Sequence, residues 1–327
     1  MDLPTIWFLA IALLWTGYLV LEGFDFGVGM LLPSVGRDES GRRTMINAIG
    51  PVWDGNEVWL ITAIGAMFAA FPAWYAATLS GFYVPVLLIV VALVFRGVAF
   101  EYRGKIDSAV WRRRWDAAIV GGSLVPAFGW GLVFANLLRG VEIGADGVVR
   151  SSLLDLLSPY ALLGALATTA LFVLHGALFL GLKTDGPVRH RARAAARRAA
   201  LVAVPVVGGF LAWTAHDRGT GVPAAVAAVA LLLTAVGCAA QRREGWAFAA
   251  TAASIVAVSV MVFGGLYPAL LPSLIDPAFG LTVANASSAP YTLGILSVVG
   301  AVFLPLVIGY QAWSYWVFRR RVHVDAA

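Results

Sequence analysis

Apolar runs of about 20 residues recur along the whole chain, and they constrain its fold more than any other feature. Hydrophobic residues make up 60% of the 327 residues and charged residues only 13%, whereas a typical soluble domain has about 25% charged residues. A run of about 20 apolar residues can cross a bilayer as a helix, because a helix satisfies its own backbone hydrogen bonds there. The sequence therefore predicts an all-α integral membrane protein.

We predict nine membrane spans from these runs. Pro126 lies inside the fourth span and predicts a kink there. Eight of the nine spans could form two groups of four helices, which would leave one helix at the periphery. The predicted spans are residues 5–31, 50–70, 79–101, 117–138, 159–182, 199–215, 221–240, 246–271 and 290–318.

Basic residues are distributed unevenly between the connections. The connections after the first, third, fifth and seventh spans, together with the C-terminal tail, hold 19 of the 23 Lys and Arg residues. Such residues mark the cytoplasmic side of a membrane protein. The pattern therefore predicts an N-terminus outside and a C-terminus in the cytoplasm, which an odd number of spans requires. The net charge of +5 is a sign of topology and not of nucleic-acid binding.

Five charged residues lie inside the first three predicted spans. Glu22 and Asp25 are three residues apart, as are Asp54 and Glu57, so each pair shares a helix face. Arg96 in the third span has no partner at helical spacing in its own run. A charge at the bilayer centre costs about 3 kcal/mol, and the predicted topology brings all five to the cytoplasmic half of the membrane. We therefore predict an ion pair between Arg96 and a carboxylate.

The carboxylates also have structural interpretations. Asp54 just inside a helix start could cap the backbone and complement the helix dipole, or it could carry protons. Glu22 and Glu57 are near span ends and are either interfacial or buried. Burial raises the pKa of a carboxyl group, whereas a nearby cation lowers it. Both interpretations therefore stay open.

Two polar segments are interpreted as membrane boundaries and not as sites. Glu101-Tyr102-Arg103 ends the third span, where an arginine can extend its charged head into water. The segment from Gln311 to Trp316, followed by Arg319–Arg321, is typical of an aromatic belt with a basic stop signal.

Candidate ligands for a metal or haem are scarce in this sequence. His175 is the only histidine well inside a predicted span, and no second axial ligand accompanies it. We therefore interpret His175 as a packed, hydrogen-bonded residue. The single cysteine, Cys238, excludes a disulfide within the chain.

Glycines crowd the second half of the first span. Gly23 and Gly27 have the G-x-x-x-G spacing, and Gly29 follows. The spacing does not fit a phosphate-binding loop, whereas in an apolar helix it is typical of close helix contact. We predict that this half of the span packs closely against another helix.

Three stretches around the charged residues resemble subunit II of the bacterial cytochrome bd quinol oxidases. They are residues 22–29, 50–59 and 95–103, and the Trp-Asp-Gly-Asn motif in the second is the most specific. Some members have aspartate where this chain has Glu22, a difference that conserves the charge. Further matches along the chain are Asn136, His175-Gly176, residues 183–186 and residues 282–288.

The resemblance implies a complex in the bacterial cytoplasmic membrane that oxidises quinol and reduces dioxygen to water. The partner, subunit I, would hold two b-type haems and one d-type haem, and this chain alone would bind no cofactor. The resemblance leaves open whether the complex also contains a structurally bound quinone and a small single-helix accessory subunit. The implied fold is a first four-helix bundle (1–140), a second (141–275), and a peripheral helix with a cytoplasmic tail (276–327).

Our hypothesis is that the carboxylates help supply cytoplasmic protons and that the chain stabilises subunit I. Trp53 would orient Asp54, and Arg96 would anchor or tune the carboxylates. A proton-coupled secondary transporter and a purely structural subunit are the alternatives. The predicted proton-path residues are Asp25, Asp54, Glu57 and Glu22. The predicted supporting residues are Trp53, Arg96, Asn56 and His175.

Overall fold

Eleven α-helices make up most of the protein in the computed structural model, which describes residues 2–323. Two short antiparallel strands, β1 (Ala269–Leu271) and β2 (Leu281–Thr282), lie between the last two helices. Within the described residues, eight helices are long and apolar enough to cross a membrane, so the predicted all-α membrane fold is confirmed. The helices are α1 (Leu3–Val35), α2 (Glu39–Ile49), α3 (Trp53–Ala70), α4 (Pro72–Gly81), α5 (Tyr83–Tyr102), α6 (Ala109–Arg139), α7 (Pro159–Lys183), α8 (Gly186–Arg218), α9 (Val222–Ala240), α10 (Glu244–Leu266) and α11 (Pro290–Val317).

The count of nine spans is approximate because of α3. This helix corresponds to the predicted span 50–70, but it has only 18 residues and begins with a polar stretch. Asp54, Asn56 and Glu57 lower its mean hydropathy below that of the eight other candidate spans. Helix α3 nevertheless packs along α1 and α11 within the bundle.

Several helix boundaries differ from the predicted spans. Residues 72–81 form the separate helix α4, which begins at a proline in its first turn, so the third span starts at Tyr83 and not at residue 79. The sixth predicted span was the shortest, but α8 has 33 residues and is about 50 Å long. A hydrocarbon core is about 30 Å thick, so the basic first half of α8 continues as a helix outside it.

Helix α1 lies at the centre of the molecule and packs against α3, α6 and α7. Gly27 of α1 faces Gly176 of α7, and a Cβ atom added at Gly27 would lie 2.8 Å from Gly176 Cα. Gly29 lies against the side chain of Ser123 on α6. These contacts confirm that the glycine-rich half of the first span makes a close helix crossing.

The remaining helices form two groups around this centre. Helices α3, α5 and α6 belong with α1, whereas α7, α8, α9 and α10 pack with one another. Helix α11 lies outside both groups, on α3 and α1, and among its described residues only Leu293 is buried. This is the arrangement of two four-helix groups with one peripheral helix.

One end of the bundle collects the arginines, and we call residues 36–52, 103–116 and 184–198 the basic end. Helix α2 lies there, and the Asp38 side chain caps it by accepting a hydrogen bond from the Gly41 backbone N–H at 2.6 Å. The sequence predicted no element here because 11 residues are too few for a span. Helices α3 and α6 begin at this end, so the polar start of α3 lies beside it.

Candidate functional site

Arg96 of α5 is fully buried between α1 and α3, and it pairs with one carboxylate from each. Its Nη1 atom donates to Glu22 of α1 and to Oε1 of Glu57 of α3, the latter at 2.8 Å. The side chains of Arg96 and Glu22 have no exposed surface, and that of Glu57 is 21% exposed. The ion pair predicted for Arg96 is present and joins three helices.

Two aromatic rings and a glycine surround the Arg96 guanidinium. The ring centroids of Phe26 and Phe100 lie 4.9 and 5.2 Å from Arg96 Cζ, within the range at which a ring face attracts a cation. Gly122 of α6 lies on the backbone side, where an added Cβ atom would be 2.6 Å from Arg96 Cβ. Helix α6 can therefore pack directly on α5 at the depth of the cation.

Asn56 links Asp25 of α1 to α11. Its Nδ2 atom donates to Asp25 Oδ2 at 2.7 Å, and its Oδ1 atom accepts from Gln311 Nε2 and from the Tyr315 hydroxyl, both at 2.9 Å. Asp25 and Asn56 are fully buried. Because an amide donates at one end and accepts at the other, Asn56 connects three helices.

Gln311 and Tyr315 of α11 belong to this cluster, although the sequence did not predict them as members. Their segment was predicted to be an aromatic belt, whereas both side chains donate hydrogen bonds to the buried Asn56. A signal was present, since Gln311 is a polar residue in an apolar run and Tyr315 lies four residues later on the same helix face.

Asp54 and Trp53 lie at the outer side of this cluster. Asp54 is in the first turn of α3 and is exposed. Trp53 packs on Phe100, with 5.0 Å between ring centroids, and Phe100 in turn lies beside Arg96. The observed contact of Trp53 is thus with the ring next to the cation, and its orienting role for Asp54 stays a prediction.

The carboxyl groups form a series of decreasing exposure from the start of α3 inward. Asp54 is exposed, Glu57 one turn later on the same face is largely buried, and Glu22 and Asp25 are fully buried. The series leads from the surface of α3 to the middle of the bundle.

The buried part of the series contains more carboxyl groups than cations. If Glu22, Asp25 and Glu57 were all ionised, three negative charges would face one guanidinium in apolar surroundings, which is costly. Glu22 Oε2 and Asp25 Oδ1 have no hydrogen-bond partner among residues 2–323, so each carboxyl group has an oxygen that can take a proton. The buried carboxyl groups therefore have room to hold a proton.

A second group of charges holds the basic end together. Arg103 donates two parallel hydrogen bonds to Glu39 of α2, both at 2.8 Å, and two to Asp116 of α6, at 2.6 and 3.4 Å. Arg103 is only 5% exposed, so its assignment as a residue that extends into water is wrong. Two carboxylates neutralise its charge and allow it to be buried.

These contacts favour the ionised form of two carboxyl groups, Glu39 in the first turn of α2 and Asp38 at its N-cap. The hydrogen bonds from Arg103 hold the pKa of Glu39 below its ordinary value of 4.5. The backbone N–H of Gly41, together with Arg191, lowers the pKa of Asp38 in the same way. Both groups are charged at neutral pH, so the basic end is a fixed ionic network.

His175 of α7 is buried and uses both ring nitrogens. Its Nδ1 atom lies 2.7 Å from Thr251 Oγ1, and its Nε2 atom lies 3.2 Å from the Val20 carbonyl oxygen. A carbonyl only accepts, so Nε2 carries the proton. The ring also stacks on Phe248, with 4.5 Å between centroids. With both nitrogens engaged, His175 does not fit an axial haem ligand.

Sequence comparisons with known proteins identify the family of the chain. The profile of the family described as cytochrome bd terminal oxidase subunit II matches residues 3–318. The cytochrome bd ubiquinol oxidase subunit 2 of Bacillus subtilis is 43% identical over 328 residues, which cover 98% of this chain and 97% of that protein. The cytochrome bd-I ubiquinol oxidase subunit 2 of Escherichia coli K12 is 35% identical over 357 residues, which cover 97% and 94%.

A solved structure has the same fold. The structure of bd oxidase from Geobacillus thermodenitrificans contains a chain that superposes with a TM-score of 0.80 and covers 97% of this chain and 99% of its own length. The two chains are 22% identical, so this likeness concerns the fold alone. Sequence and fold comparisons agree over almost the whole chain.

Proposed function

Because the chain belongs to the cytochrome bd terminal oxidase subunit II family, we propose that it is the second subunit of a quinol-oxidising, dioxygen-reducing complex. Its partner is subunit I, and the complex lies in a bacterial cytoplasmic membrane. The match extends over nearly the full length of oxidase subunits from two organisms, which favours this function over a proton-coupled secondary transporter.

In this proposal subunit I holds the haems. His175 does not fit as a ligand, since its two nitrogens bond Thr251 and Val20. Haem supplies the electron transfer and the dioxygen chemistry in such a complex. The contribution of this chain is to stabilise subunit I and to bring protons toward it.

The face formed by α3, α5 and α11 is the proposed contact with subunit I. Helix α3 exposes Ile61 and Phe68 by 71% and 60%, and α11 buries little against its own chain. These apolar faces lie beside the buried carboxyl cluster, so a partner seated on them would be next to the groups that are proposed to deliver protons.

The buried carboxyl cluster is the observation that carries the proposed proton delivery. A proton enters from the cytoplasm at Asp54 and passes to Glu57, one helical turn further on. Arg96 Nη1 binds Glu57 Oε1 at 2.8 Å and also binds Glu22, so a proton leaving Glu57 has the Glu22 carboxylate beside it. Asn56 fixes Asp25 at the inner end of the series.

The test is to replace Glu57 with Gln in the complex formed with subunit I. Glutamine keeps the size of the side chain, and Arg96 retains Glu22, so we expect a normal amount of complex and a normal d-type haem spectrum. Quinol-driven oxygen uptake should fall about tenfold or more, because a positioned carboxyl group contributes that much to proton transfer. Asp54→Asn should lower uptake in the same direction by less, since solvent can replace an exposed entry group.

Glu101→Gln is the matched control. Glu101 is an exposed carboxylate at the end of α5, outside the cluster, and its variant should retain full oxygen uptake. Full uptake in Glu57→Gln would contradict proton delivery through this chain. If oxygen uptake and the haem spectrum are lost in equal proportion, the cluster is structural only, and the subunit assignment still stands.

A further inference from the structure

A crevice between α8 and α9 opens at the basic end, far along the chain from the carboxyl cluster. Its polar part is a cavity of about 330 Å³. The floor is α7, around Gly181, and the walls come from α8 and from the turn between α9 and α10. Its charged and titratable lining residues are His190, Arg193, Arg197, Arg242 and Glu244.

An apolar groove of about 440 Å³ continues from this cavity along the same two helices. The two spaces share five lining residues, among them Leu178, Arg197 and Ala240, so they form one continuous crevice. Beyond Arg197 the groove is lined only by apolar side chains such as Leu174, Val204 and Val236. Leu201 at its edge is 78% exposed, so the groove is open to the surroundings of the protein.

The polar cavity carries an excess of positive charge. Glu244 is bonded by Arg193 and by Arg189, the latter at 3.2 Å, so its charge is already neutralised. No side-chain hydrogen bond or ion pair joins Arg197 or Arg242 to any residue in the range 2–323. Two arginines therefore line the cavity without a protein carboxylate to match them.

The backbone at Arg242 is unusual as well. It has a φ angle of 62°, and within the described chain it is the one non-glycine residue with a positive φ. This conformation costs an L-residue free energy, and such residues cluster at ligand sites. Here the conformation accompanies a side chain that lines the cavity.

The depth of the two spaces matches the layers of a bilayer. Helix α8 is longer than a hydrocarbon core is thick, and the arginines of its first half end at Arg198, where a run of apolar residues begins. The polar cavity is therefore at headgroup depth, and the apolar groove is at acyl-chain depth.

We propose that this crevice binds an anionic phospholipid. The phosphate lies at Arg197 and Arg242, and one acyl chain lies in the groove beside Val204 and Val236. Arginine suits a phosphate because its planar fork of N–H groups donates two parallel hydrogen bonds. Basic pockets between membrane helices are a recurrent way to hold anionic headgroups. An uncharged headgroup would leave the two arginines unmatched.

The test uses the complex with subunit I, stripped of bound lipid by detergent. Phosphatidylglycerol, phosphatidylcholine with the same chains, and inorganic phosphate are titrated while the melting temperature and native mass spectra are recorded. We expect tight retention of phosphatidylglycerol, weaker retention of phosphatidylcholine, and no stabilisation by phosphate alone. In Arg197→Gln/Arg242→Gln the affinity for phosphatidylglycerol should fall about thirtyfold, from about 1 kcal/mol for each lost cation.

The neighbouring arginines supply a matched control. Arg198→Gln/Arg243→Gln removes the same charge from exposed side chains that do not line the crevice, and the preference for phosphatidylglycerol should persist. Ala240→Phe, at an exposed position that lines both spaces, should weaken the binding of both lipids. Equal binding of the two lipids, or equal losses in the two arginine pairs, would overturn the proposal. Stabilisation by phosphate alone, or recovery of a quinone in place of lipid, would also overturn it.

Discussion

Arg96 is buried at a depth where an unpaired cation would be costly, and two carboxylates make that position possible. Removing one partner of a buried pair leaves the other charge without compensation, at a cost of about 3–5 kcal/mol. Glu22 has no exposed side-chain surface, so it cannot recover hydration when the cation is lost. The stability of this part of the bundle should therefore depend on the pairing of Arg96 with its carboxylates, more than on the presence of any single charged residue.

We expect Arg96→Gln to destabilise the protein by about 3–5 kcal/mol. Adding Glu22→Gln to the same chain should restore part of that loss, because the double variant no longer buries an unmatched Glu22. The coupling should be about 1–3 kcal/mol, within the usual range for residues in direct contact. Thermal unfolding of the purified complex in detergent measures it.

Arg37→Gln is the control for this pair of variants. Arg37 is exposed, and its replacement should change stability by no more than about 0.5 kcal/mol. Simple addition of the Arg96→Gln and Glu22→Gln effects would contradict the account of Arg96 as a charge matched by Glu22.

The charged residues of this cluster could be found from the sequence, but some of their neighbours could not. A charge in an apolar run is visible without a structure, and the cost of burying it predicts a partner for Arg96. Gln311 lies 255 residues from Asn56, and no local pattern connects the two. Arg103 is a similar case, because the sequence cannot show that Glu39 of α2 and Asp116 of α6 both bind it.

At the scale of elements, α2 is the helix that hydropathy does not reveal. It is too short and too polar for a span, and contacts at the basic end hold it in place. Glu39 accepts two hydrogen bonds from Arg103, and Asp38 bonds Arg191 at 3.2 Å. The attachment of α2 thus depends on ionised carboxylates at the basic end.

We expect the attachment of α2 to weaken at acid pH. The pKa of Glu39 is below its ordinary value of 4.5 in the folded protein, so its contribution is complete above that value and is lost as pH falls through the folded pKa. Asp38 contributes with the same sign, since its pKa is also lowered. Hydrogen exchange of residues 39–49, corrected for the intrinsic rate, should show protection falling between pH 5 and the folded pKa values.

Glu39→Gln should reduce the protection of α2 already at pH 7 and flatten its pH dependence. The exposed Glu101→Gln is the comparison, and it should leave protection as in the unaltered protein. A pH dependence that persists unchanged in Glu39→Gln would show that other groups control the attachment of α2.

At the scale of the whole molecule, the alternation of apolar and basic segments predicts nearly everything about the fold class. Spans could be recognised because a bilayer demands long apolar helices. The ends of the helices could not be recognised in this way, since helices such as α6 and α8 continue into polar segments where hydropathy gives no signal. The grouping of helices depends on crossings such as Gly27 with Gly176, and of these the sequence shows one glycine motif but not its partner.

The orientation of the molecule decides whether the proposed entry at Asp54 can take protons from the cytoplasm. The clustering of arginines at the basic end predicts that this end is cytoplasmic. Lys105 and Ala145 are exposed in the connections before and after α6, so a single span separates them. Cysteines at these two positions, each in a Cys238→Ala background, can report the orientation by labelling with a membrane-impermeant maleimide.

We expect Ala145→Cys to be labelled in intact cells and Lys105→Cys only in inverted vesicles. Labelling of both sites after detergent treatment is the control for reactivity. The opposite pattern would place the start of α3 on the extracytoplasmic side of the membrane. Cytoplasmic proton uptake at Asp54 would then be excluded, however strongly Glu57→Gln slowed oxygen uptake. The expected pattern places Asp54 at the cytoplasmic surface, with Glu57 and Glu22 following it inward.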